Sequence, residues 1–189
     1  MLAISLVRGA GFKPGEPLVP EELARRHLGP AALREAPSWS LCDEAALIRV
    51  GTEWRIYLRP GLSPQRARFA LLHELAHWAE PTASEVLCNQ TAGAILLPRP
   101  AFLGAVRGRR MVTVARSFGT DETCAWLRYG ETTGAPLAVV TPKAVRVRGA
   151  THNWPAESVM RELAAQHRIP GLRKSKLFDA PDRTVLRAG

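Results

Sequence analysis

The spacing of apolar and polar positions along the chain predicts its elements. Leu18 to Gly29 reads as a first helix, with Pro20 suited to the opening turn, Glu21 and Glu22 at the positive end of the helix dipole, and Gly29-Pro30 as the stop. From Ala45 to Arg59 the pattern becomes that of a hairpin. Leu47-Ile-Arg-Val50 and Trp54-Arg-Ile-Tyr-Leu58 are β-prone runs with polar residues interleaved, joined across Gly51-Thr52. A central helix is expected to start with Ser63 as N-cap and Pro64 at the first helical position, and to run to about Glu80, ahead of Pro81. Another covers about Ala83 to Leu97 and is closed by Pro98. Further on, Met111 to Phe118 and Glu122 to Tyr129 read as two short helices around Gly119-Thr120-Asp121, and Leu137 to Val140 and Ala144 to Val147 as strands. Pro155 to His167 reads as an amphipathic helix with Val159, Leu163 and Ala164 on one face, whereas the polar, basic stretch Gly171 to Gly189 is expected to be loosely held.

This succession of helices around a few strands predicts an α+β chain, and 189 residues suffice to bury a real core. An apolar content of 46% with 23% charged residues excludes a disordered chain. Charge changes the picture more. Twenty-six Lys and Arg against seventeen Asp and Glu leave a formal +9, which suits an anionic neighbour such as DNA or an acidic partner. Only Arg107–Arg110 and Arg173–Lys176 form local clusters, however, and scattered arginines make an ordinary solvated surface. Cys42, Cys88 and Cys124 are too few and too far apart for a disulfide framework or a thiolate metal site, and their apolar neighbours predict buried thiols. The apolar run Met1 to Val7 is too short for a signal-peptide core, and no stretch approaches a membrane span, so a cytoplasmic protein without membrane contact is expected.

The chemistry is concentrated in the central helix. His73-Glu74-Leu75-Ala76-His77 is an H-E-x-x-H motif. Residues four apart on a helix lie on nearly the same face, so the two imidazoles can grip one metal ion while Glu74 beside them can reach a water there as general base. Leu71, Leu75 and Trp78 recur at i, i+4 and i+7 and are expected to bury the opposite side, with the small residues Ala70 and Ala76 flanking the histidines. Two histidines on a helix can also be partly buried polar residues. The capped helix and the small-residue flank favour the metal site.

An open tetrahedral site needs a third protein ligand. Glu85, near the start of the next helix, is the first candidate, because the break at Pro81 allows that helix to return past the first. Asn89, four residues on, falls on the same face and would orient one histidine from behind. Two alternatives stay open at this point. Thr82-Ala-Ser-Glu85 also fits a capping box, in which Glu85 would bond backbone, and Glu80 is a second carboxylate close to His77. Two His and a carboxylate suit zinc, with manganese as the other possibility.

The segment Arg68-Phe-Ala-Leu-Leu-His-Glu-Leu-Ala-His-Trp78, followed by Glu85-Val-Leu-Cys-Asn-Gln-Thr-Ala-Gly-Ala-Ile-Leu-Leu-Pro98, resembles the ImmA/IrrE family of metallopeptidases. The match covers about Pro20 to Pro98; the interval from His77 to Glu85 is short for that family. The resemblance implies a zincin-like core of helices on a small antiparallel sheet over residues 1–107. A helical or mixed extension would follow over 108–189, with Met111 to Tyr129 similar to the family's helix-turn-helix-like segment. It implies His73, His77 and Glu85 as metal ligands and Glu74 as general base. The activity implied is hydrolysis of a peptide bond in a protein substrate, typically a helix-turn-helix repressor, which switches on stress or mobile-element genes. His152, His167 and Tyr129 are candidates by residue type for stabilising the oxyanion. Two further readings compete: a basic, DNA-associated regulator with a structural metal site, and a partner that captures a repressor or toxin without cutting it.

Overall fold

A computed structural model describes residues 2–13, 18–37, 44–140, 145–148, 172–176 and 184–188. The architecture is α+β, and the chain divides into two compact units, Met1–Leu96 and Leu97–Gly189. No helix among the described residues is long and apolar enough to cross a membrane.

The first unit holds α1 (Leu2–Gly9), α2 (Pro20–Leu28), β1 (Leu33–Glu35), the hairpin β2 (Ala45–Val50) and β3 (Glu53–Leu58), α3 (Pro64–Ala79) and α4 (Glu85–Leu96). Its sheet has the order β1-β3-β2 and is mixed rather than the antiparallel sheet that the resemblance implies, because β2 runs antiparallel to β3 while the short β1 runs parallel to it. Strand alternation sets the two faces: Leu47 stands opposite the fully buried Ile56, while Ile48 and Val50 are exposed. Helix α3 packs against α4 and against both strands of the hairpin, burying Leu71, Leu72 and Leu75. It starts as the sequence predicts, with the Ser63 hydroxyl accepting from the Arg66 amide at 3.3 Å and Pro64 at the first position, where a missing N–H costs nothing. Trp78 is only half-buried; its ring lies 5.2 Å from that of His27, whose Nε2 is 2.8 Å from the Leu6 carbonyl oxygen.

The second unit holds α5 (Arg99–Ala105), α6 (Met111–Ser117), α7 (Glu122–Thr133), β4 (Leu137–Val140), β5 (Val145–Arg148), β6 (Leu172–Lys176) and β7 (Thr184–Ala188). The four strands form an antiparallel sheet in the order β5-β4-β7-β6. β4 is apolar throughout and buried at every position, so both of its faces are covered. Helix α7 opens with the Asp121 carboxylate accepting from the Cys124 amide at 2.7 Å and closes at Gly134, which has φ 72°, a left-handed conformation that glycine adopts without a Cβ clash.

The expectation for the C-terminal run is overturned, and three elements, α1, α5 and β1, lie outside the reading of the sequence. The run expected to be loose, Gly171 to Gly189, contains β6 and β7: Val185 and Leu186 are fully buried beside β4, and this burial outweighs the basic composition around them. The N-terminal apolar run forms α1, with Leu6 buried. Helix α4 closes ahead of Pro98, as expected, and a separate helix, α5, follows at once with Pro100 in its first turn, where proline is tolerated. The three-residue β1 is too short to show a period. The helix expected over Pro155 to His167 lies outside the described residues, as does Cys42.

Candidate metal centre

Helices α3 and α4 bring three chain-distant side chains to one point. His73 Nε2 lies 3.1 Å from Glu85 Oε2, His77 Nε2 lies 3.1 Å from Glu85 Oε1, and the two Nε2 atoms are 3.2 Å apart. His73, His77 and Glu85 can hold a metal ion. The donor groups lie close enough to share one ion, with Glu85 turning a different carboxylate oxygen to each histidine. Two ring nitrogens and a carboxylate are the donor types that zinc takes.

Local chemistry places each ligand. His73 and His77 are one turn apart on α3, with Ala70 and Ala76 buried beside them. The Asn89 Oδ1 lies 3.2 Å from His73 Nδ1, so an Nδ1–H donated there leaves the Nε2 lone pair facing the cluster. Glu85 is the first residue of α4. Its side chain is 74% exposed, against 15% for His73 and 24% for His77, so the centre opens to solvent on the carboxylate side.

The competing roles for these acids are excluded by their contacts. The α4 cap is Ser84, whose hydroxyl accepts from the Leu87 amide at 3.3 Å, so the capping box Thr82–Glu85 does not form. Glu80 instead accepts from the Thr82 hydroxyl at 2.6 Å and is not in the ligand group. Glu74 projects from α3 toward the hairpin, where its Oε2 accepts from the Leu47 amide at 3.1 Å; nothing in the motif itself signals this contact. Cys88, one turn beyond Glu85, is buried outside any disulfide. Burial, and then the charges of Glu85 and Glu74, push its thiol up to about 11, so it stays protonated at neutral pH.

The remaining candidates are ordinary by their surroundings or lie outside the described residues. Tyr129 stacks edge-on against Trp126 at 5.9 Å within α7. His152 and His167 fall outside the described residues. Arg107, Arg109 and Arg110 are exposed ahead of α6. In the α6–α7 pair, the opening residues of the second helix, Glu122 through Trp126, are all buried, with the Trp126 indole donating to the Glu122 carboxylate at 3.2 Å. A helix that reads a DNA groove needs those first side chains exposed.

No family model matches the chain, and no curated protein matches it in sequence. The fold has a solved counterpart. The structure of a Mycobacterium tuberculosis transcriptional regulator superposes with a TM-score of 0.59 at 14% identity, over 99% of this chain and 76% of that one. At that identity the likeness concerns the fold alone.

Proposed function

We propose that this protein is a metallopeptidase of narrow specificity that uses zinc, or manganese in its place, held by His73, His77 and Glu85. One observation carries the reading: two imidazole nitrogens and the Glu85 carboxylate converge through contacts of 3.1–3.2 Å, and the acidic residue between the histidines belongs to the same helix turn. Bound zinc would supply Lewis acidity, polarising a carbonyl oxygen and making water easier to deprotonate. Glu74 then takes the proton of the attacking water and delivers it to the leaving amine nitrogen. Asn89 keeps His73 in the tautomer that presents Nε2. The solvent-open side at Glu85 gives access to a protein segment.

The resemblance of Arg68 to Trp78 and Glu85 to Pro98 to the ImmA/IrrE family supports a zincin-like core and a helix-turn-helix repressor as substrate. Elemental analysis of the wild type beside His77→Ala and Glu85→Ala tests the centre. About one zinc or manganese per wild-type chain, lost in both variants, is expected, and Glu74→Gln should keep the metal while stopping cleavage. A wild type that takes up no metal on reconstitution overturns the reading.

A second reading has its own support. The formal +9 charge, the exposed Arg107–Arg110 cluster and the fold shared with a transcriptional regulator favour a DNA-associated regulator. The buried opening of α7 weighs against groove reading by that helix, which leaves phosphate contacts. Salt-dependent retardation of duplex DNA by the metal-free protein, with an intact repressor, would favour this reading over the peptidase.

A further inference from the structure

Glu74 would have to present one carboxylate oxygen to the centre, and a glutamate on an open helix face has three rotatable bonds with which to miss it. The structure holds the other oxygen in place. β2 is an edge strand of the β1-β3-β2 sheet, and its pairing register sets which way each amide points. The Arg59 amide donates to the Glu44 carbonyl at 2.9 Å, so alternate residues from 44 onward, including Ala46, Ile48 and Val50, make the ladder with β3. Ala45, Leu47 and Arg49 therefore turn their N–H groups to the outer edge. Of these, the Leu47 N–H reaches Glu74 Oε2, at 3.1 Å across 27 residues of sequence.

We propose that the backbone amide of Leu47 is the positioning group for Glu74: it fixes Oε2 against the edge of β2 and leaves Oε1 for the proton transfer. Leu47 touches no reacting atom and acts only through Glu74, so the proposal rests on the peptidase reading. The backbone supplies this group whatever side chain stands at position 47. The outer edge of β2 and the motif helix form one unit in consequence, since a strand edge otherwise presents unpaired donors to water. Because the bond ends on a carboxylate, it belongs to the stronger class of hydrogen bonds.

Amide hydrogen exchange followed by NMR on the full chain, saturated with zinc, tests this. In the wild type Leu47 should exchange roughly tenfold or more slowly than in Glu74→Ala, the expected effect of removing a charge-assisted acceptor. Ala45 and Arg49, on the same edge, should exchange equally in both proteins, as should Ile56 in the ladder to β1. Glu74→Gln keeps an acceptor oxygen without the charge and should restore most of the protection. A Leu47 amide that exchanges alike in all three proteins overturns the proposal. So does protection lost equally in Gln and Ala, which would mean that the carboxylate slowed exchange by its charge rather than by a bond. Zinc content of the same samples reports separately on the peptidase reading. A zinc-loaded protein with an unresponsive Leu47 sinks the positioning alone, whereas a protein that binds no zinc removes the catalytic sense of the contact together with that reading.

Discussion

Asn89→Ala should weaken zinc binding without removing any ligand. In the structure the Asn89 amide oxygen is 3.2 Å from His73 Nδ1, and His73 faces Glu85 with the other nitrogen. Removing that oxygen has two consequences. A neutral hydrogen bond contributing about 0.5–1.5 kcal/mol is lost, and the ring is free to place its proton on Nε2, where it blocks the metal. Together these amount to about 1.4–2.7 kcal/mol, or a 10–100-fold loss of affinity, the range found when partners behind a ligating histidine are removed. Asn89→Asp keeps an acceptor in place and should stay within a few-fold of the wild type. Competition against a chromophoric chelator measures both constants, and circular dichroism checks that the variants are folded. A folded Asn89→Ala protein that binds zinc within about twofold of the wild type would refute the assignment. Equal damage from Ala and Asp would do the same, since it would show that the site responds to any change at this position rather than to loss of the acceptor.

Two other outcomes follow from burial. Cys88 is held protonated to about pH 11 in the folded chain, against 9.0 for an ordinary thiol, so the stability it contributes is full below pH 9 and is lost as pH rises through 11. Urea titrations of the metal-free protein at pH 8 and 11 should therefore show the wild type losing about 2–3 kcal/mol more than Cys88→Ala over that interval, and equal losses would contradict the cause given for the shift. Leu75→Ala empties a fully buried position on the side of α3 away from the histidines and should cost about 2–5 kcal/mol in the same assay, with a cost below about 1 kcal/mol showing that this side is not packed as described.

Much of the centre was legible in the chain because its information is local. The Ser63 cap, Pro64 and the four-residue spacing of His73 and His77 act within a turn or two of one helix, so their geometry follows from helical periodicity alone. The hairpin was legible for the same reason: alternation and a two-residue turn at Gly51-Thr52 specify the register of β2 on β3. Asn89 could be read as well, since it lies one turn from Glu85 on α4.

The choice between acids needed the tertiary structure. Glu80 and Glu85 are both close to His77 in sequence, and only the return of α4 along α3 brings Glu85 to the histidines while Glu80 turns to Thr82. The partner of Glu74 is 27 residues away on a strand, at a position set by a backbone amide that carries no residue-type signal. β1 and the strands β6 and β7 were hidden for a related reason. A three-residue strand shows no period, and the basic run at 172–176 becomes strand through pairing with β7, which itself pairs with the buried β4. Periodicity and capping act over the few residues that share a helical turn or a pleat, so sequence alone determined the motif helix and its two histidines. Which carboxylate reaches the two histidines, and which amide Glu74 meets, depend on contacts between elements far apart in the chain, and packing decides those.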